Sequence, residues 1–325
     1  MKAFLLIVNT FLLSLAVIVN TLESNRHHSS SFTNYDCGDT IPAVILRENG
    51  LTKLADLLLT SEDGLVETLS GPGPFTLFAP TDEAFASMSL YNFDAAEDVN
   101  LLKDILTYHV APLEITSAFL SAIQQVYQLP TLQGSAPVRI NVYRENERAI
   151  TLFDPVKTVT INGALALKSL QACNGLIYMI DKVLNPADLM PENDELEIFD
   201  RYGLTTVKRI LDVLGAVQSV NIFFGPKTLF APTDAAFAAL PPGFLDELLA
   251  DKKKLLTFIN THVVSGYHYS RGLETGPILS FGAVVDVQVS HGKITYGGAN
   301  ILIPDITNVQ GVIHVIDACV LPDLE

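Results

Sequence analysis

The side chains that could carry chemistry in this 325-residue chain are spread along it rather than grouped at catalytic spacings. His262 and His268 are six positions apart, which fits neither two metal ligands on one helical turn nor a tight binding loop. Gly71-Pro-Gly-Pro74 is a poor phosphate loop, because its prolines have no amide hydrogen to donate. The signatures of serine hydrolases, zinc metalloproteases and P-loop enzymes are absent from the sequence. We therefore predict a protein that is not an enzyme and that binds no cofactor or metal.

His109 and His262 have similar settings, since each ends a run of apolar residues at helical spacing. One interpretation places the imidazole at the edge of the core, where a hydrogen bond fixes a neighbouring loop. The other places it on an exposed surface that contacts a partner. The first interpretation is favoured for both histidines, and proton transfer or metal ligation is the weakest alternative.

Four aspartates lie where helices or strands are predicted to begin or end. Asp82 and Asp234 each follow Pro-Thr, which is typical of a helix start, and their carboxylates favour the positive end of the helix dipole. Asp181 and Asp317 lie near the ends of apolar runs, where an exposed carboxylate or a local turn cap is expected. A structural role is therefore favoured for all four.

Two stretches of the sequence occur twice. Phe75-Thr-Leu-Phe-Ala-Pro-Thr-Asp-Glu-Ala-Phe85 returns 152 residues later as Lys227-Thr-Leu-Phe-Ala-Pro-Thr-Asp-Ala-Ala-Phe237. Residues 174–186 return 136 residues later as residues 310–322. A period of this length indicates two whole domains rather than a solenoid, whose units are roughly 20–50 residues. The chain is therefore two copies of one module, and the first copy has 16 more residues between its two motifs.

Each copy is predicted to begin with helices. Helical periodicity covers residues 51–58 and 99–110 in the first copy and residues 253–264 in the second. Phe85 and Phe237 are expected to be buried from the first turn of the helix that follows Pro-Thr-Asp.

Strands follow the helices in each copy, which indicates an α+β fold. Residues 138–142 alternate between apolar and polar side chains, with Arg139 and Asn141 on the polar side, and residues 285–289 repeat the alternation. Such strands bury one face only. Each copy ends in an almost wholly apolar strand, as expected at the centre of a sheet: residues 176–184 and 312–321. The predicted organisation is a signal peptide at 1–24, a polar lead-in at 25–36, a first domain at 37–187, an acidic linker at 188–195 and a second domain at 190–323.

The chain is acidic, with 20 lysines and arginines against 36 aspartates and glutamates and a formal net charge of −16. A field of this sign repels phosphate backbones and anionic lipid surfaces. Nucleic-acid binding is therefore not expected, and the charge is interpreted as a solvated surface.

The N-terminus has the pattern of a secretory signal, in which Lys2 precedes an apolar run from Ala3 to Val19. We predict that segment 1–24 is removed and that the rest is secreted and extracellular. An uncleaved membrane anchor is the alternative, because the run approaches the ~18–20 residues that span a bilayer. No later segment is apolar for long enough to span.

Secretion would place the three cysteines in an oxidising compartment. Cys37 and Cys173 bracket the first module, and a disulfide between them would join its entry to its last strand. Cys319 is then left over, and its apolar surroundings predict a buried thiol within a strand.

Three motifs, in the same order in both copies, resemble those of the fasciclin domain. The Thr-Leu-Phe-Ala-Pro-Thr-Asp block is similar to the family's first signature, Leu106-Thr-Tyr-His-Val110 to its Tyr-His motif, and residues 311–317 to its second signature. The resemblance covers roughly residues 37–187 and 190–323. It implies a wedge-like β-sheet domain with packed helices, found in secreted and cell-surface proteins of adhesion and extracellular matrix.

The two copies differ at a position that the resemblance marks. Animal matrix members of the family have an Asp-Ile pair before the last signature that is implicated in integrin binding. Only the second copy keeps it, as Pro304-Asp-Ile306, where a short turn should leave Asp305 near the surface; the first copy reads Leu167-Lys-Ser-Leu170. A structural acid at a strand edge or in a turn is the open alternative for Asp305. The candidate adhesion contacts are therefore Pro304, Asp305, Ile306, Tyr108, His109 and His262.

The leading hypothesis is a secreted, non-enzymatic tandem protein that mediates cell–matrix or cell–cell adhesion through protein or glycan contacts. Its partner would be a cell-surface receptor, a matrix protein or glycan, or a second copy of itself. Two alternatives remain open. One is a structural spacer within the matrix, and the other is a small-molecule binder or enzyme on the same scaffold, with the long excursion at 143–155 as a lid.

Overall fold

The computed structural model describes residues 39–61, 64–88, 99–123, 126–144, 156–189, 195–215 and 226–321. The predicted signal segment 1–24, the lead-in 25–36 and most of the 143–155 excursion lie outside these residues. Both modules belong to one compact unit, Asp39–Glu325. None of the helices in the described ranges is long and apolar enough to cross a membrane.

The first module alternates helices and strands. Its described helices are α1 (Ile41–Ile45), α2 (Thr52–Thr60), α3 (Leu65–Ser70), α4 (Asp82–Met88), α5 (Val99–Tyr108) and α6 (Ser117–Ala122), and a 3-10 helix covers Pro186–Leu189. Its strands are β1 (Phe75–Pro80), β2 (Val110–Ala111), β3 (Val126–Leu129), β4 (Val138–Arg144), β5 (Val156–Ile161), β6 (Ala164–Ala172) and β7 (Gly175–Ile180).

The second module follows the same plan. Its described helices are α7 (Glu195–Arg201), α8 (Thr205–Leu214), α9 (Asp234–Ala238), α10 (Phe244–Ala250) and α11 (Lys252–Thr261), and a 3-10 helix covers Ser270–Gly272. Its strands are β8 (Lys227–Pro232), β9 (Val263–Ser265), β10 (Gly276–Leu279), β11 (Val284–Ser290), β12 (Lys293–Tyr296), β13 (Ala299–Thr307) and β14 (Gly311–Ile316).

The two sheets have the same topology. The strand order is β2-β1-β7-β6-β5-β4-β3 in the first module and β9-β8-β14-β13-β12-β11-β10 in the second. β1 runs parallel to β7, and β8 to β14, while the other neighbours in both sheets are antiparallel. Val264 of β9 also bridges Ser280 beside β10, which brings the ends of the second sheet together into a barrel-like shape. The predicted α+β class and the duplicated module are confirmed.

The predicted helices form, with apolar faces buried as expected. Leu51, Leu54, Ala55 and Leu58 are all buried beneath α2 or at its start. The predictions for 99–110 and 253–264 were too long at the C-terminal end, because the last residues of each leave the helix for β2 and β9. These short strands hydrogen-bond to β1 and β8, and sheet pairing satisfies the backbone there in place of the helix.

Phe85 and Phe237 occupy equivalent positions but are not equally buried. Phe237 is 4% exposed and packs in the core of the second module. Phe85 is only half-buried at the edge of the first core, so its predicted burial was wrong. The second module therefore depends more on this position than the first.

The two central strands are buried on both faces, as predicted for β7 and β14. They end at Ile180 and Ile316, earlier than the predicted limits of 184 and 321. Cys319 accordingly lies beyond the strand in which it was predicted, where it is a half-buried free thiol. Burial raises the pKa of this thiol to about 12, so it stays protonated at neutral pH. Cys173 is disulfide-bonded, but Cys37 lies outside the described residues, so the pairing of these two stays a prediction.

The predicted helix starts are present, and each uses two side chains. Thr81 and Thr233 accept hydrogen bonds from Ala84 N and Ala236 N, within the helix that each precedes. Asp82 and Asp234 reach a neighbouring helix instead. Asp82 Oδ1 accepts from Lys53 N at the start of α2. In the second module, Asp234 Oδ1 accepts from Thr206 N at the start of α8. The aspartates therefore cap helices as predicted, but each caps a helix earlier in the chain than its own and so ties two helices together.

Candidate functional site

His109 and His262 occupy equivalent sites at the ends of α5 and α11. His109 Nε2 accepts a hydrogen bond from Leu184 N at 2.9 Å, so Nδ1 carries the proton and donates to the Ile105 carbonyl oxygen at 2.7 Å. The second module repeats this arrangement. His262 Nε2 accepts from Val320 N at 3.0 Å, and Nδ1 donates to the Phe258 carbonyl oxygen at 2.9 Å. Each histidine thus fixes the segment that follows the central strand.

The surface role considered for these histidines and for Tyr108 was wrong in its placement, because all three are buried. Their side chains are 2% (His109), 0% (His262) and 0% (Tyr108) exposed. Burial lowers the pKa of His109 and of His262 to about 4, against the weaker opposing effect of the hydrogen bond that each ring makes to a backbone carbonyl, so both rings are neutral at pH 7. Burial raises the pKa of Tyr108, whose hydroxyl donates to the Pro137 carbonyl oxygen. The interpretation of the histidines as core-edge residues that hold a loop is the one that fits.

Asp305 is also less accessible than predicted. Its side chain is 14% exposed, and Oδ1 accepts from Ser270 N at 2.6 Å. Oδ2 accepts a short hydrogen bond from the Ser270 hydroxyl. Ile306 is buried, whereas Pro304 is exposed. Of the three residues in this motif, only Pro304 therefore presents its side chain freely to solvent.

The Asp-Ile motif lies on a bulge that the first module lacks. Asp305 has φ +63°, in the left-handed region that favours glycine, and the register of β13 with β14 shifts on either side of Ile303. The Asp305 backbone N–H donates to Nδ1 of His314 at 3.2 Å. In the first module the residue opposite Tyr178 is Ser169 alone, and Lys168 pairs with Met179 within the ladder. The prediction that Lys168 and Ser169 correspond to Asp305 was therefore wrong for Lys168, which occupies the position of Ile303, because the second copy has one more residue here.

Arg139 is the largest fully buried side chain of the described residues, and it joins the two modules. Its guanidinium donates to the Tyr269 hydroxyl at 3.1 Å and to the Gly311 carbonyl oxygen at 3.3 Å. It also donates to the carbonyl oxygens of Asn308, at 3.0 Å, and Val309, at 3.3 Å. These acceptors form a socket in the second module for a side chain of the first. A guanidinium suits such a socket because it presents a rigid fork of donors.

Aromatic rings surround the socket. The Arg139 guanidinium carbon lies 3.8 Å from the centre of the Tyr267 ring, a cation–π contact. Tyr143 packs on Tyr269, and a Cβ atom added at Gly272 would lie 1.9 Å from the Tyr143 ring. Glycine is therefore required at position 272 by the close approach of the modules.

The rim of this interface is polar. Asn141 donates to the Tyr267 carbonyl oxygen at 3.2 Å, and Arg271 forms an ion pair with Asp181 at 2.8 Å. Asp305 stabilises this rim indirectly, because its carboxylate accepts a hydrogen bond from the backbone N–H of Ser270, the residue next to Arg271. The carboxylate predicted to contact an adhesion partner thus positions a turn that contacts the first module.

The interface corrects one prediction about strands. β4 was expected to bury one face, but all seven of its residues are buried. Val138, Ile140 and Val142 face the core of the first module, while Arg139 and Asn141 face the second module. β11 follows the predicted alternation as far as Gln288, with Val285 and Val287 buried and Asp286 and Gln288 exposed, but Val289, predicted on the buried side, is exposed.

Sequence reasoning missed the interface because its partners are far apart in the chain. Arg139 and Asn308 are 169 positions apart, and no local pattern links them. One available signal was the unequal charge of equivalent strands, since Arg139 has a full positive charge where the second copy has Asp286. No group of three or more His, Cys, Asp or Glu side chains that could hold a metal ion occurs among the described residues.

The fasciclin-domain family model matches two segments of this chain, residues 49–186 and 203–322. Curated relatives include transforming growth factor-beta-induced protein ig-h3 of Sus scrofa, 28% identical over 78% of this chain and 36% of the relative. Human periostin is 27% identical over 80% of this chain and 30% of its own length. Mouse stabilin-2 is 29% identical over 62% of this chain and 8% of its length. The chain thus spans about a third of the first two relatives.

A solved structure of a FAS1 domain pair from the insect cell adhesion molecule fasciclin I aligns with 84% of this chain and 97% of its own, at 18% identity and a TM-score of 0.39. The two segments that match the family model coincide with the two modules of the structure and together cover most of the sequence. This chain therefore belongs to the fasciclin-domain family and carries two copies of the domain in tandem.

Proposed function

We propose that this protein is a secreted, non-enzymatic adhesion protein of the extracellular matrix or cell surface. It acts through protein or glycan contacts on the outside of its tandem domains. The proposal follows what the resemblance to the fasciclin family implies and is consistent with the predicted signal segment. Its partners would be a cell-surface receptor, a matrix component or both.

One observation supports a surface function over a function inside a cavity. The side chains best suited to chemistry are largely buried and take part in hydrogen bonds that stabilise the fold. His109, His262 and His314 are buried, and each makes hydrogen bonds through both ring nitrogens. Asp305 is engaged by Ser270. These groups are committed to structure, so recognition is left to the exposed exterior of the modules.

The direct test is attachment of cells to surfaces coated with the full chain. Cells of the source organism should attach to the folded protein in proportion to coating density and should not attach to heat-denatured protein coated at equal density. Attachment no better than on the denatured coating would remove the proposal.

A structural spacer is the second candidate, because the buried interface fixes the two domains against each other. The two functions respond differently to Arg139→Gln, which disturbs the socket that joins the domains. An adhesive surface on one domain should retain attachment in this variant if the domains stay folded. A spacer should lose its fixed length, which small-angle X-ray scattering would show as a broader distribution of interatomic distances.

A further inference from the structure

The exterior of the second barrel carries a surface whose counterpart in the first module is already an interface. The ladders of β4 with β5 and of β11 with β12 place Gln288 at the position of Asn141 and Asp286 at the position of Arg139. In the first module this face is covered by the second module. In the second module the same face is exposed along β11. At Arg139 and Asn141 in the first module and at Asp286 and Gln288 in the second, the fold thus presents one covered copy and one open copy of the same face.

The open face comprises Leu279, Phe281, Val284, Asp286 and Gln288, and it combines apolar and acidic character. Leu279 and Val284 are opposite each other in the β10–β11 ladder and are 71% and 68% exposed. Phe281, in the turn between these strands, is 48% exposed. Asp286 follows on the same side of β11, about 7 Å along the strand, since side chains two residues apart share a face. Contiguous exposed apolar side chains of this size are typical of interaction sites.

A second copy of this chain that repeats the covered interface fits the open face poorly. In the covered interface, the Arg139 guanidinium stacks on the ring of Tyr267. The equivalent of Tyr267 in the first module is Glu114, because Thr76 and Thr228 bind the residues on either side of each through the same pair of hydrogen bonds. Repeating the interface between chains would therefore bring Glu114 against Asp286. Two like charges at a closing interface disfavour association.

Charge complementarity instead favours a partner with a basic side chain. The Asp286 carboxylate accepts one side-chain hydrogen bond, from Gln288 at 3.1 Å, and is exposed. An arginine or lysine can bind it while apolar side chains of the partner cover the corner formed by Leu279, Phe281 and Val284. Backbone pairing at the edge strand β10 is less suited, since Pro277 in that strand has no N–H to donate.

We propose that the open face is the docking surface of this protein for a second, different protein, whose contact region sets an arginine or lysine beside apolar side chains. This inference rests on the proposed adhesive function and names the surface that performs it. It assigns recognition to the exterior of β10 and β11 rather than to the Asp-Ile bulge. The acidic net charge of −16 further favours basic partners at long range.

The test compares full-length variants in the attachment assay with cells of the source organism. Leu279→Glu and Val284→Glu should each raise the coating density needed for half-maximal attachment by about ten-fold, as expected for central contacts of an interface. Asp286→Arg should weaken attachment by about five-fold and remove most of its sensitivity to salt, because it reverses the charge that faces the partner. Melting temperatures should stay at the wild-type value, since all three side chains are exposed.

Matched controls separate the surface from general effects. Leu59→Glu changes a leucine of similar exposure, 62%, on the first module, and Asp246→Arg reverses an exposed charge on α10. Both controls should attach like wild type; a loss equal to that of the open-face variants would overturn the proposal. If all three open-face variants attach as well as wild type, the proposed docking surface is overturned and the adhesive function is left intact. No attachment by wild type would remove both. Sedimentation showing wild-type dimers that Leu279→Glu dissociates would assign the face to a second copy and overturn the stated partner.

Discussion

The outer face of β4 and the outer face of β11 are one surface in two copies of a module, and they have different neighbours. On β4 the face carries Arg139 and Asn141 and is buried against the second module. On β11 it carries Asp286 and Gln288 and meets solvent. Both strands alternate apolar and polar residues, so alternation alone identifies the face toward the core and says nothing about the other. What lies on the outer face is decided by the next module along the chain.

The difference in neighbours also explains why these two equivalent positions carry opposite charges. Arg139 is surrounded by carbonyl oxygens and an aromatic ring, all of which attract a cation. An aspartate there would face the same oxygens with like polarity. Asp286 has no such neighbours, because its face is open. Its carboxylate remains hydrated, so no desolvation penalty arises. The two copies therefore differ in charge at the position where only one of them packs against a partner module.

The largest effect should come from the socket itself. Arg139→Ala leaves buried acceptors without donors and opens a cavity, and we expect it to lower the free energy of unfolding by about 3–5 kcal/mol. Asp286→Ala, at the equivalent exposed position, should change it by less than about 0.5 kcal/mol. Arg139→Lys should recover little, since an ammonium cannot form the fork. Urea denaturation measures all three, and equal effects of the two alanine variants would contradict the comparison.

A second test uses the phenylalanines that differ in burial. Phe237→Ala should cost about 3–5 kcal/mol, because Phe237 is almost fully buried. Phe85→Ala should cost about 2 kcal/mol, because part of the Phe85 ring is already in water. Calorimetry of the two variants checks the ranking. If Phe85→Ala proved the more damaging, the first core would be arranged differently from the one described.

The repeated blocks and the periodicity were enough to predict the α+β class, the tandem organisation and the burial of helix faces such as Leu51, Leu54 and Leu58. They were enough because these features depend on local spacing and on core burial. The interface was out of reach, since Arg139 meets carbonyl oxygens whose positions depend on the complete fold of the other module. Asp305 was misplaced for a related reason. A bulge adds one residue to β13, and the sequence does not show which residue leaves the ladder.

The two buried histidines should affect the pH dependence of stability equally. In this they differ from the pairs Arg139/Asp286 and Phe85/Phe237, whose members are expected to have unequal effects. His109 and His262 each have a pKa lowered by burial to about 4, against 6.5 when unfolded. Between these values the unfolded chain binds protons that the folded chain does not, so stability falls as the pH drops from about 6.5 to 4. Each histidine should contribute a loss of up to about 3 kcal/mol over this range.

Unfolding free energies measured from pH 7 to pH 4 check this expectation. His109→Gln and His262→Gln should each flatten the pH dependence by a similar amount, since glutamine does not titrate. A slope that only one of the variants changes would show that the two sites are not equivalent after all.

The smallest expected effect concerns Asp305, and it separates its structural role from the adhesive one. If Asp305 mainly holds the Ser270 turn, Asp305→Ala should lower the free energy of unfolding by about 1–2 kcal/mol, because Ser270 N and its hydroxyl lose their acceptor. Cell attachment should then fall no more than stability does. Asp305→Asn retains an acceptor for Ser270 N and should recover part of the stability. A fully stable Asp305→Ala protein that no longer supports attachment would instead identify Asp305 as a direct contact, and the open face on β11 would not be the principal binding surface. The functional difference between the two modules would then lie in the extra residue of β13. It would not lie in the outer face that carries Arg139 in one copy and Asp286 in the other.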